Sequence, residues 1–558
     1  MNDFVTTFHK DLISITKSLI NNSVVNKNLD TSIISVDYSS KSKKGHLSSN
    51  VFIILNNFLK NKNFKLKIFI INKIKDLDYI DNVEIANAGF LNVILKKEFL
   101  LNKLFDSLDQ KKNYGKLNVE NQKKINIEFV SANPTGPLHL AHIRGAVYGD
   151  VLANILIATG NNVTKEYYVN NTGSQINILG TSFFKRYQEL NNIKNIIIKD
   201  NEYPGEYLID LAKKVQINDG DKWLNENESK RNHYFQNFAK KEILKSIIDD
   251  LKKIDINFDK FTFESDIIKS NKIHEVFEIL KKENLLYEGL LPKPKSEDLS
   301  DWEPRKQLLF RSSKFSDDFD RPFQKSNGEW TYFANDSAYH YDKILRNYDQ
   351  LINIWGSDHI GYISRMKSIV EVISKKKNFL QIKVCQIVRL FKDKKIIKMS
   401  KREGNIITLN ELLKQVNKDS LRYFMISTKN ETPIDFDIIR VIEKNKDNPV
   451  FYCQYAYARA SSIVEKSNKF IKDKNLLNSK NKFNISALSE DEWNIILKII
   501  SWPYLLKQSS NLQQPHKITN YLEDLSSSFH SFWNKGKDNQ SLRIIDESNE
   551  INTITKLI

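Results

Sequence analysis

Two histidines, His139 and His142, stand three residues apart where a strand-like stretch gives way to a helix-like one. Residues 125–130 alternate apolar and polar side chains as a strand does, and 131–138 carry Asn, Pro and Gly, the composition of a tight connection. From His139 on, Leu140, Ile143, Val147, Val151 and Ile155 fall at helical spacing. Strand, tight turn and helix N-terminus together present backbone N–H groups to a phosphate, so this stretch predicts a nucleotide site. A second stretch, Lys398-Met399-Ser400-Lys401-Arg402-Glu403-Gly404-Asn405, puts ammonium groups on a glycine-containing loop. Fixed donors of this kind lower a barrier when they sit where negative charge develops on phosphate oxygens.

The rest of the chain must position these groups. At 558 residues it is too long for one core, so three or four domains are expected. Lys and Arg outnumber Asp and Glu by 85 to 68, a net charge of +17 that fits a polyanionic partner, nucleic acid first and anionic lipid second, and equally a lysine-rich solvated surface. Only two cysteines occur, Cys385 and Cys453, with no CxxC, which argues against disulfide scaffolding and a cysteine zinc site and fits a reducing compartment. No apolar run approaches the roughly 18 residues of a membrane span, and the N-terminus does not read as a signal peptide. A soluble, cytoplasmic protein is expected. No GxxxxGK[ST] is present, so a P-loop reading has no support.

Residues 1–112 read as a separable α+β domain with an amphipathic first helix and strands near 65–71, 83–85 and 88–93. Residues 113–418 alternate strand and helix patterns (162–169, 330–334, 351–355, 382–390), which predicts a doubly wound parallel sheet of Rossmann type. Within it, about 183–325 is charged and helical in period and reads as an insertion. Residues 419–558 read as an all-α bundle.

Pro137-Leu138-His139-Leu140-Ala141-His142 and Lys398-Met399-Ser400-Lys401 resemble the HIGH and KMSKS signatures of class I aminoacyl-tRNA synthetases. The wider context is similar to the arginyl-tRNA synthetase family in particular. It includes Tyr167-Tyr168-Val169-Asn170, Tyr332-Phe333-Ala334-Asn335-Asp336, Trp355-Gly356-Ser357-Asp358-His359 and Asp419-Ser420-Leu421-Arg422, all in family order. The resemblance implies a multidomain fold whose C-terminal bundle binds the anticodon. It implies catalytic roles for His139, His142 and Lys401, with Pro137, Leu138, Ala141, Lys398, Met399 and Ser400 completing the ATP site. By the same resemblance Glu128 and Asp336 face the arginine guanidinium and Tyr332 closes the pocket. Ser131 and Asn133 then hold the α-amino and carboxylate groups, and His359 lies beside them.

A guanidinium, a rigid fork of donors, needs carboxylate and planar acceptors. By the same resemblance Asn87, Phe90 and Asn92 match a family segment that holds a tRNA D-loop base. Tyr452, Tyr455 and Arg459, with Gln454 and Tyr457, suit stacking on splayed anticodon bases. The implied partners are tRNA(Arg), L-arginine and ATP, with Mg²⁺ travelling on the nucleotide, no structural zinc and no membrane. The implied working form is a monomer that activates arginine only with tRNA bound.

Other readings of the same residues stay open at this stage. The His139–His142 pair could hold zinc, but no third ligand motif accompanies it. Asp336 could cap a helix beginning at Ser337, Tyr332 and Phe90 could be core, and Glu128 could be an edge-strand charge. Tyr452 and Tyr455 could equally pack inward. A tRNA-independent nucleotidyl transferase and a non-catalytic tRNA-binding paralogue are the other function classes. Three departures from the family pattern stand out: Ala141 replaces the HIGH glycine, Asn171 replaces an acid, and Ile551, Ile554 and Ile558 still run helically at the end, so a final helix is expected to be missing.

Overall fold

The computed structural model describes residues 3–21, 30–39, 45–58, 64–86, 89–117, 121–291, 305–315, 317–392, 395–397, 407–467, 469–471, 483–546 and 549–557. The chain forms two compact units: Met1–Asn118 with Asn445–Gln513 and Lys517–Ile558, and Val119–Lys444 with Gln514–His516.

The second unit is built on five parallel strands: β1 (Lys124–Glu128), β2 (Asn162–Val169), β3 (Lys260–Phe263), β4 (Gln350–Gly356) and β5 (Leu380–Cys385). Their order across the sheet is 3-2-1-4-5. Winding reverses between β1 and β4, and ligands of such sheets bind beyond the carboxyl ends of the strands at that point. Helix α1 (Leu140–Ala158) crosses from β1 to β2. It is long and apolar enough to span a membrane, yet 67% of it is buried within the fold, as expected of a helix covered on several sides. Its approach to the sheet depends on Gly149, where a β-carbon would come within 2.3 Å of the Phe129 ring.

One face of this sheet is polar although buried. Asn126 and Glu128 of β1, Glu166 of β2, Thr262 of β3 and Asn353 of β4 are all buried. Helix α2 (Tyr332–Leu345) and the residue after it supply the compensating cations, Lys343 and Arg346. Arg346 grips both oxygens of Glu166 at 2.8 and 2.9 Å, while Asn126 and Thr262 each donate to it at 2.6 Å. Burial opposes ionisation of Glu166, but Lys343, Arg346 and these donors hold its carboxyl below the usual range.

The stretch 183–325 is not wholly an insertion, because it contributes β3 to the sheet edge next to β2. Of residues 330–334, expected as strand, Trp330 keeps an isolated antiparallel bridge to Gln324, while 332–334 open α2, whose N-cap is Thr331. Beyond β5, strands β6 (Val388–Lys392), β7 (Lys395–Ile397) and β8 (Ile434–Asp437) form a small mixed sheet, so strand structure continues past residue 419.

In the first unit, a four-stranded antiparallel sheet (Val36–Tyr38, Leu47–Ser49, Leu91–Leu95, Ile80–Ile85) packs with helices Phe4–Asn21 and Lys97–Gln110. Residues 65–71 alternate like a strand but lie within helix Phe64–Lys75, where Ile70 and Ile74, four apart, are fully buried. The two ends of the chain share this core: Trp493, Ile496, Leu497 and Ile500 of helix Glu490–Leu512 pack among its buried residues. Helices Pro449–Ser467, His516–Asp538 and Glu550–Leu557 complete the unit.

Candidate active site

The carboxyl edge of the sheet collects most of the expected residues. Directly after β1, Val130 and Ser131 have φ of +66° and +39°. The Ser131 N–H donates to the Phe129 carbonyl at 2.9 Å, closing a three-residue turn that a β-branched residue rarely adopts. Strain of this kind costs about 1–3 kcal/mol per residue and persists only where neighbours enforce it. Here Ser131 Oγ donates to Glu128 Oε1 at 3.0 Å and accepts the Tyr168 N–H at 3.1 Å. Asn133 donates to Gln175 Oε1 at 2.9 Å.

The chain then enters α1 with His139 at the N-cap. Each imidazole accepts from the other residue's backbone N–H in a capping box, and the rings lie 3.9 Å apart. Pro137 is half-buried, Leu138 buried, and Ala141 exposed. The Leu138 carbonyl accepts the Leu409 N–H at 3.0 Å, and His139 bridges to Thr408. One turn into α1, the buried Arg144 donates to the carbonyls of Gln386, Lys429 and Thr432 at 2.7–2.9 Å. The histidine helix is thereby tied to the segments that lead into β6 and β8. Lys398, Met399, Ser400 and Lys401 lie outside the described residues, as does Asn87.

A second cluster beyond the strands is made of acids. Asp336 is mid-helix in α2 and is not its cap, which is Thr331. Burial, then the neighbouring carboxylates of Glu264 and Glu128, push Asp336 up to about 7 against the opposing pull of Lys343. Glu264, immediately after β3, is 2% exposed and accepts from Thr172 Oγ1 at 2.5 Å. Sequence reasoning missed Glu264; an acid directly following a sheet strand was the available signal, and it was hidden because β3 was not recognised. Asn171 both accepts from and donates to Ser265 at 3.0 Å, fixing the same corner.

Glu128 lies on a central strand rather than an edge and does not stand open. Its second oxygen takes the Lys343 ammonium at 2.5 Å, a pair whose disruption costs about 3–5 kcal/mol when both groups are buried. Tyr332 is 62% exposed, so it is not core, and its hydroxyl lies beside Gly173. His359 is exposed in the turn after β4, 3.4 Å from Asp358. Tyr168 stacks on Tyr339 at 4.1 Å, and among the described residues neither buried hydroxyl has a hydrogen-bond partner.

The chain contains three family domains. Residues 103–437 match the catalytic domain of tRNA synthetases class I (R). The chain belongs to the arginyl-tRNA synthetase family. Residues 10–95 match the arginyl tRNA synthetase N terminal domain and 453–557 the DALR anticodon binding domain. An arginine–tRNA ligase from Pelagibacter ubique is 42% identical over 532 residues, covering 93% of this chain and 89% of that relative. One from Rickettsia bellii is 39% identical and covers 100% and 96%. The arginyl-tRNA synthetase of Thermus thermophilus, at 16% identity, shares the fold with a TM-score of 0.73 over 99% of this chain and 97% of its own.

In the first unit, Phe90 is 42% exposed rather than core, beside Gly89 at φ +86°. Asn92, on the neighbouring strand, accepts from Ser48 at 3.2 Å. On the helical side Arg459 donates to the exposed Tyr455 hydroxyl at 2.9 Å and shares a hydrogen bond with His530, whose ring packs 4.4 Å from the half-buried Tyr452.

Proposed function

We propose that the chain is an arginine–tRNA ligase: arginine attacks the α-phosphorus of ATP, pyrophosphate leaves, and the arginyl group passes from AMP to the 3′-terminal ribose of tRNA(Arg). The observation that carries the arginine assignment is Asp336 crowded by Glu264 and Glu128, an acid held close to neutrality until a cation arrives. A guanidinium supplies that cation and a matching fork of donors. In this reading Asp336 and Glu264 take the guanidinium, Tyr332 closes over it, and Ser131, Asn133 and His359 serve the α-amino and carboxylate end. Glu128 acts from behind, through Ser131.

His139 and His142 stabilise the charge that builds on the α-phosphate, and Pro137, Leu138 and Ala141 line the nucleotide. Lys401, with Lys398, Met399 and Ser400, acts on the departing pyrophosphate; the Thr408–His139 bridge and the Arg144 clamp support that arrangement. Mg²⁺ comes with ATP and offsets its phosphate charge. Among the described residues no group of three or more His, Cys, Asp or Glu is placed to hold a metal ion. Asn87, Phe90 and Asn92 on one module, and Tyr452, Tyr455 and Arg459 on the other, contact the tRNA. The enzyme works as a cytoplasmic monomer and requires tRNA for activation.

Arginine-dependent ATP–pyrophosphate exchange, measured with and without tRNA(Arg), tests this reading. Exchange with arginine and tRNA is the expected result. Exchange with another amino acid would overturn the pocket assignment, and tRNA retention without any exchange would make the chain a non-catalytic paralogue.

A further inference from the structure

Helix α2 brings a cation of its own to the face that carries Asp336. Tyr339, His340 and Lys343 follow Asp336 at three, four and seven residues, the spacing of one helix face. The Lys343 side chain is fully buried, and its ammonium is occupied on three sides. It donates to Glu128 Oε2 at 2.5 Å and to Asn353 Oδ1 at 3.2 Å, and it lies 4.4 Å from the Tyr339 ring centre.

From that ammonium two paths run into the pocket. One closes on itself: Lys343 to Glu128, Glu128 to Ser131 Oγ, Ser131 Oγ to the Tyr168 N–H, Tyr168 stacked on Tyr339, and Tyr339 back beneath Lys343. Its Glu128–Ser131 contact spans the strained turn at Val130. The other path runs through Asn353. With its carbonyl on Lys343, the amide nitrogen donates to His340 Nε2 at 2.9 Å, which leaves Nδ1–H to donate to the Asp336 carbonyl at 2.8 Å. Burial, and then Lys343, push His340 down to about 4, so the imidazole is neutral and this donor pattern is fixed.

We propose that Lys343 is a positioning residue for the amino-acid pocket, holding Ser131 through Glu128 and the Asp336 backbone through Asn353 and His340. The proposal rests on the arginine reading above. It also divides the acids of the pocket: Glu128 is matched by a cation of the protein, which leaves Asp336 and Glu264 to meet the substrate.

The test compares Lys343→Met and Asn353→Ala with the parent in tRNA-supported pyrophosphate exchange, with separate arginine and ATP titrations at pH 6–9. Lys343→Met is expected to raise the arginine KM tenfold or more and leave the ATP KM within twofold. It is also expected to move the rise of arginine KM at low pH to a higher pH, because Lys343 is the cation that opposes Glu264 and Glu128 at Asp336. Asn353→Ala keeps the ion pair, cuts the second path and is expected to raise the arginine KM about threefold with the pH profile in place.

An unchanged arginine KM in both variants overturns the proposal, as does a parallel rise in both KM values, which a merely structural residue would give. If Lys343→Met does not fold, Asn353→Ala decides by the same split. Absence of arginine-dependent exchange in the parent overturns the substrate reading and this proposal with it.

Discussion

At the histidine end, proposed to take the nucleotide, His139 and His142 are fixed by the backbone of their own helix turn, and Arg144 behind them donates to three carbonyls. At the acidic end, proposed to take the amino acid, Glu128, Glu166 and Asp336 lie among Lys343, Arg346, His340 and Glu264. In the proposed function the first site takes a ligand whose charge is large and whose shape is generic, so local donors suffice. The second would then distinguish one side chain from nineteen others through buried charge that a matching cation satisfies. A change at the nucleotide end is therefore expected to alter rate, and one at the amino-acid end to alter affinity and pH response.

Asp336→Asn gives the largest expected separation. It should lower arginine kcat/KM roughly a hundredfold or more, the scale of losing one partner of a desolvated charge pair, with ATP KM nearly constant in the same assay. Equal loss for both substrates would erase the contrast between the two ends. His142→Asn should act the other way, lowering kcat by roughly 10²–10³ with arginine KM little changed.

The pH dependence follows from Asp336. Its neutral form prevails below about 7, and a guanidinium needs the anion. The arginine KM is therefore expected to climb as pH falls through 7 while the ATP KM stays flat, read from titrations across pH 5.5–8.5. The same shift bears on stability. A carboxyl raised above its ordinary 3.8 favours folding while protonated and loses that contribution as pH rises toward about 7. Asp336→Asn should thus melt above the parent at pH 8, with the difference vanishing near pH 4. The smallest effect is expected at Ala141, exposed at the helix entrance. Ala141→Gly should lower the ATP KM by about twofold through closer approach of the nucleotide, and an unchanged or raised value would remove that role.

The two ends also differ in how far they could be read from sequence. The histidine motif is contiguous, and strand, turn and helix follow one another within residues 124–158, so local pattern sufficed. The acid network is assembled across long separations: Lys343 and Glu128 are 215 residues apart, Arg346 and Glu166 are 180. Neither lysine nor arginine on a helix announces a buried partner. Glu264 depended on β3, whose four residues, Lys260-Phe261-Thr262-Phe263, alternate polar and apolar over a stretch too short to stand out from the helical pattern around it. Helix Phe64–Lys75 shows the converse, with lysines at alternate positions imitating a strand while Ile70 and Ile74 pack as a helix. Asp336 as cap, Tyr332 and Phe90 as core, and Glu128 as an edge charge were settled only by burial and by Thr331.

The core shared by the first sheet and helix Glu490–Leu512 has a consequence during synthesis. At about 5–20 residues per second, the first hundred or so residues leave the ribosome roughly 20–75 s before Trp493 follows them. Through that interval their apolar face lacks its cover, so a chaperone that holds nascent chains, or a low translation temperature, should raise the yield of intact protein more than it raises that of residues 119–444 alone.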